Sequence, residues 1–339
     1  MSALQSILLP TIGLARTERL LRILEIPHAI LEEDGKEVSR ACIAQALNML
    51  LFEDLLERVP AAKIYASDCS LEGRKIMHDH GAVRTVLLEG MGALPAGQEA
   101  ITRILRPLGY ALNGVYPLER LRMTGRSYAQ AEFPEEIAQF FLSELHPDRF
   151  SPHFQQAVQN VTGTSLDPLT PEAVSLLNDL DRTHSLPVEK AAQLLPLLTR
   201  CFTRQHQVPT LADYETLLAE SPEMAWISTE GNAFNHATSR VPDVDALAAE
   251  QKALGQPMKP AVETSQSGRV RQTAFLAARV RRWFRTASGE QVEREVPGSF
   301  YEFITRLPLP SENGGKPALD LSFDSANAQA IFKMTAEGK

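Results

Sequence analysis

The chain has 339 residues, 44% of them hydrophobic, which suffices for one large core or two modest ones and excludes a disordered polypeptide. Its formal charge of -8 comes from acidic and basic residues mixed along the whole length, so there is no basic footprint for a phosphate backbone and nucleic acid is excluded as the expected partner. Three widely spaced cysteines, Cys42, Cys69 and Cys201, make neither a disulfide framework nor a CxxC zinc pair and read as reduced thiols.

The opening MSALQSILLPTIGLARTERLLRILEI lacks the order of a signal peptide, and no apolar run approaches the ~18 residues of a membrane span. The expectation is a cytoplasmic protein with no membrane partner. Apolar residues at helical spacing (Leu20, Leu21, Leu24, then Ala44, Leu47, Leu50, Leu51, Leu55, Leu56) predict a helical region over 1–62. Across 63–133 the pattern becomes strand, helix, strand, strand: AVRTVLLEG, GQEAITRILRPLG with Leu108-Gly109 as its C-cap, YALNGVYPL and LRMTGRSYAQ. Residues 134–224 are expected to be a helical insertion, with Thr170-Pro171-Glu172 as a helix start and Pro187 and Pro196 as breaks. The strand and helix order then returns over 225–310 in AFNHATSRV, DVDALAAEQKALG, KPAVETS, VRQTAFLAARVRRWF and SFYEFITRLP. Two such units suggest a duplicated module, repeated in pattern and not in identity.

His80 opens the first strand of the first unit and His236 lies in the first strand of the second, so a two-fold pairing of the units brings equivalent positions together. Glu302 sits inside SFYEFITR, where large apolar residues occupy both faces; a carboxylate there requires a partner, either a metal cation or an arginine such as Arg306 or those of RVRRWFR. Two imidazoles and one carboxylate leave open positions on a metal, the arrangement suited to non-haem Fe(II) with substrate and dioxygen, although Zn, Ni or Mn take the same ligands. Strand periodicity puts Arg84 on the face of His80, roughly 13 Å along an extended strand, placed to clamp the far carboxylate of a metal-bound acid. A salt-bridged surface arginine is the alternative. His78 shares that face in a regular strand and competes with His80, which is preferred for its place beside the turn-prone Gly81; Asp79 reads as a group behind the ligands or in solvent. Asn235 and Thr238 flank His236 and can orient its ring.

The segments DHGAVRTV, FNHATSRVPDVDAL and SFYEFITR resemble the three metal-ligand strands of hydroxyphenylpyruvate dioxygenase and hydroxymandelate synthase. With LGYALNGVYPL, SYAQAEFP and the terminal SANAQAIF, most of the chain resembles the 2-oxoadipate dioxygenase/decarboxylase family of the vicinal-oxygen-chelate, glyoxalase-like superfamily. That resemblance implies an α+β fold of paired βαβββ modules forming a curved sheet around a metal, as one compact unit whose segment 311–339 closes the site. It implies His80, His236 and Glu302 as ligands of Fe(II), Arg84 holding a substrate carboxylate and Ser325 touching substrate. The implied reaction, within lysine breakdown, is 2-oxoadipate plus O2 to 2-hydroxyglutarate plus CO2. Two alternatives stay open: a glyoxalase-like isomerase or lyase using Zn, Ni or Mn without dioxygen, and a binding protein without catalysis. Oligomeric state has no signal in the sequence.

Overall fold

The computed structural model describes residues 1–310 and 318–325. Helices α1 (Ala3–Ile12), α2 (Leu14–Ile23) and α3 (His28–Glu32) lead through β1 (Glu37–Ser39) into α4 (Arg40–Arg58) and α5 (Pro60–Leu71). Neither Gly nor Pro interrupts α4, and the Ser39 hydroxyl caps it by accepting from the Cys42 amide at 3.1 Å. Burial nearly all round α4 fits a helix packed between other helices and a sheet. Its one buried carboxylate, Glu53, is neutralised by Arg16 and Arg19.

The first unit runs β2 (Met77–Val86), α6 (Glu99–Leu105), β3 (Tyr110–Leu118), β4 (Met123–Gln130) and β5 (Gln139–Leu145). α6 stops before the expected cap, and Gly109 instead takes a left-handed turn with φ +81°. Strand β5 corrects the expectation of helix from residue 134. Every residue of QFFLSEL is buried, so the segment has no polar alternation, and periodicity cannot distinguish such a strand from a buried helix. The helical insertion therefore begins after β5, with α7 (Pro152–Thr162), α8 (Pro171–Thr183), β6 (Ser185–Pro187), α9 (Val188–Arg200), α10 (Leu211–Glu220) and α11 (Pro222–Glu230). Thr170 caps α8 as its sequence predicts, accepting from the Ala173 amide. Pro187 ends β6, but Pro196 lies within α9 and does not break it.

The second unit repeats the order as β7 (His236–Arg240), α12 (Val244–Ala253), β8 (Glu263–Thr264), β9 (Val270–Ala274), β10 (Arg279–Arg285), β11 (Gln291–Pro297) and β12 (Phe300–Arg306). VRQTAFLAARVRRWF is two strands rather than one: β9 joins the main sheet and β10 pairs only with β11, as an inserted hairpin. The curled main sheet has the order β3-β4-β5-β2-β7-β12-β9-β8. At its centre β2 and β7 are antiparallel, and each is flanked in parallel by the last strand of its own unit, β5 or β12. This is the paired βαβββ arrangement of an α+β protein.

The two faces differ in chemistry. Val83, Phe140, Leu142, Ala237, Tyr301 and Phe303 turn to the helices and join their core. The opposite face carries buried His80, Arg84, Gln139, Ser143, His236, Thr238 and Glu302. Gly81 lies inside β2 rather than in a turn, and a Cβ there would stand 2.2 Å from the Phe234 ring. Gly81→Ala is expected to lower stability by about 1–3 kcal/mol through overpacking, read as a shifted midpoint in urea unfolding.

Candidate metal centre

The central strand pair brings His80 opposite Thr238 and Ala82 opposite His236, and β12 adds Glu302 beside Thr238. His80 Nε2 lies 3.4 Å from His236 Nε2 and 3.3 Å from Glu302 Oε2, while His236 Nε2 is 3.5 Å from the same oxygen. All three residues are buried. They form the one His/Cys/Asp/Glu group, among the described residues, able to hold a metal ion.

Proton counting argues for a cation. His80 Nδ1–H donates to Asp79 at 2.8 Å, which leaves an Nε2 lone pair facing the cluster. Thr238 Oγ1 has one hydrogen and donates it to Glu302 Oε2 at 2.7 Å, although His80 Nε2 is also within 3.0 Å. Glu302 Oε1 is buried and has no hydrogen-bond partner. Donors held at ~2.1 Å around one ion stand about 3.0–3.4 Å apart in octahedral or tetrahedral geometry, so the observed triangle accepts a metal with little movement. For His236, the Asn235 amide lies 3.3 Å from Nδ1, and Asn235 Oδ1 has no other partner. With the amide turned by half a rotation, Oδ1 accepts from Nδ1–H and directs the Nε2 lone pair at the metal position.

The electrostatics agree. Burial works against charge on Glu302, yet His80, His236 and Thr238 hold its carboxyl below the usual range. Burial pushes His236 down to about 3, keeping it neutral as a ligand must be. His80 is desolvated too, but Asp79 and Glu302 outweigh this and raise its pKa, so a proton can occupy the lone pair that a metal would take.

A bulge in β2 separates the two candidate histidines. Pairing slips between His78 and His80, so that His78 sits opposite Ser239 while His80 sits opposite Thr238. The extra residue is Asp79. His78 therefore turns to the helix side, against Phe52 and Phe234, and is not a rival ligand. Asp79 joins His80 on the site face, fully buried between Arg306 and Arg240. Arg306 is thus the partner of Asp79 rather than of Glu302, and in β10 Arg282, Arg281 and Arg279 pair with Glu230, Glu293 and Glu295 while Arg285 donates to the Val208 carbonyl.

Arg84 lies on the site face, fully buried, its guanidinium 4.9 Å above the Trp226 ring. Burial lowers its pKa to about 10, opposed by the Glu223 carboxylate, and its charge is near enough to depress His236. Ser325 is half-buried, two residues beyond Phe323, whose ring meets that of His80 edge-on with centroids 4.8 Å apart. The remainder of SANAQAIF lies outside the described residues. Residues 318–325 cross the site face: Leu321 O accepts from Asn113 and Gln139, and the Phe323 amide donates to Tyr116. Thr238, read from the sequence as a group that orients His236, instead meets Glu302 and His80, and the role of Phe323 has no sequence signal, because each depends on a neighbour distant in the chain.

The family model for 2-oxoadipate dioxygenase/decarboxylase matches residues 48–331. The chain belongs to this family. Among family members, a rice (Oryza sativa subsp. japonica) 2-oxoadipate dioxygenase/decarboxylase is 24% identical over 83% of this chain and 75% of its own length. A crystal structure of a putative glyoxalase superfamily protein from Ralstonia eutropha JMP134 is 57% identical, covers 95% of this chain and 98% of its own, and superposes with a TM-score of 0.89. A rice hydroxyglutarate synthase solved with 2-oxoadipate shares the fold at 19% identity, with a TM-score of 0.67 over 93% of this chain and 96% of its own. No helix among the described residues is long and apolar enough to cross a membrane.

Glu302→Gln and His236→Ala are each expected to weaken Mn(II) or Co(II) binding by at least ~100-fold in calorimetric titration, whereas His78→Ala leaves affinity intact and lowers stability only. Because a proton competes for His80 Nε2, metal affinity should fall up to ~10-fold per pH unit below the raised His80 pKa and level off above it.

Proposed function

We propose that the protein is a non-haem Fe(II) dioxygenase/decarboxylase converting 2-oxoadipate and O2 into 2-hydroxyglutarate and CO2, a step of lysine breakdown. The observation that carries this reading is the convergence of His80, His236 and Glu302 on one point, with the aromatic rings of Phe323 and Phe300 beside them. Iron(II) held by His80, His236 and Glu302 would supply the binding of a 2-oxo acid and the activation of dioxygen.

The protein's own groups do the rest. Asp79 holds the His80 ring in the ligating tautomer, and Thr238 fixes the Glu302 carboxylate. Arg84 stands one strand-face step beyond Ala82 and offers a guanidinium to the distal carboxylate of a dicarboxylic acid, with Trp226 setting its plane. Planar two-point hydrogen bonding by a buried guanidinium favours an acid that carries a second carboxylate at that distance over one that ends in an apolar group. Residues 318–325 exclude water from the metal side, and Ser325 at their end contacts the acid. The three buried free cysteines support a reducing cytoplasmic setting.

Protein loaded anaerobically with Fe(II) should consume one O2 per CO2 released on addition of 2-oxoadipate, and Zn(II)-loaded protein should consume none. Absence of oxygen uptake with every 2-oxo acid would remove the dioxygenase reading. Arg84→Met is expected to lower kcat/KM for 2-oxoadipate by ~100-fold or more, with much less effect on a monocarboxylic 2-oxo acid.

A further inference from the structure

Asp79 is the residue that the β2 bulge adds to the site face, and none of its surface is exposed. Its carboxylate accepts from His80 Nδ1–H at 2.8 Å, from Arg240 Nε at 2.7 Å, and from Arg306 Nε and Nη2 at 2.9–3.0 Å. Arg306 is also fully buried as a side chain. Its Nη1 reaches the other way and donates to the carbonyls of Asp320 at 2.9 Å and Ser322 at 2.8 Å. The same guanidinium lies 4.9 Å from the centroid of Phe323, the ring that meets His80. One planar fork thus holds both the carboxylate behind a candidate ligand and the backbone of the segment covering the site.

Neither half stands alone. Without Arg306, Asp79 loses two-point fixation and His80 loses part of the support for its orientation. Without residues 318–325, Nη1 loses both carbonyl acceptors and the guanidinium loses the Phe323 ring, which removes the restraint that holds the fork against Asp79. Arg240 cannot substitute, because its Nη1 is committed to the carbonyl of Glu135.

We propose that Asp79 and Arg306 are positioning residues that couple metal binding at His80 to the seating of residues 318–325 over the site. This rests on the metal-centre reading above and goes beyond it: a filled metal site holds the cover down, and a seated cover tightens the metal. Thermodynamic reciprocity makes the two effects equal in size.

The test uses the full chain and Mn(II) alone, without turnover. In the wild type, saturating Mn(II) should slow hydrogen exchange of the Leu319, Asp320, Ser322 and Phe323 amides, each of which donates a hydrogen bond within or around the cover. Arg306→Lys keeps the charge, but a single ammonium cannot span Asp79 and two carbonyls. It should weaken Mn(II) by at least ~10-fold and abolish the metal-linked protection. Unchanged exchange in the Mn(II)-saturated wild type overturns the coupling, whether or not the variant folds, and so does an Arg306→Lys protein with full affinity and full protection. If His80→Ala loses Mn(II) while wild-type exchange stays unaffected by metal, the coupling fails and the metal centre survives.

Discussion

Three electron-pair donors, two imidazoles and a carboxylate, meet within 3.5 Å at a buried point where the Thr238 hydroxyl has one hydrogen to give. Like donors repel at that range unless a proton or a cation stands between them. The surrounding structure serves this constraint: Asp79 holds His80 in the tautomer that points the Nε2 lone pair at the cluster, Asn235 can do the same for His236, and Asp79 is itself held by two arginines.

The two-fold relation of the modules shows that only the second of them brings a carboxylate to the centre. The central pairing, Gly81 opposite Ala237, relates His80 to His236, Ala82 to Thr238 and Arg84 to Arg240. By the same relation, Glu302 on β12 corresponds to Phe141 on β5. A symmetric site would have a second acidic ligand there. An aromatic ring, joined by Phe323 and Tyr116, stands instead, so that three candidate ligands meet there among the described residues. The equivalent arginines have diverged too, Arg84 lying over Trp226 and Arg240 bracing Asp79.

Much of this is legible in the chain before it folds. HGAVR and HATSR open two segments of like pattern, a carboxylate occurs within an apolar strand, and Arg84 follows His80 at a spacing that shares a strand face. The helix starts at Thr170 and Asp243 carry their own capping residues. Period-two and period-3.6 patterns report local burial, and where a strand is buried on both faces, as in QFFLSEL, they say nothing.

Sequence by itself therefore determined the donor types, their order and the module in which each sits, because these follow from residue identity and short-range spacing. Tertiary structure decided which of them meet. The bulge at Asp79 reverses the faces of His78 and Asp79, and it forms only when β2 is pinned between β5 and β7. Arg306 chooses Asp79 over Glu302 for the same reason: the alignment of β12 on β7, more than 60 residues away in sequence, sets which carboxylate lies within reach of its guanidinium.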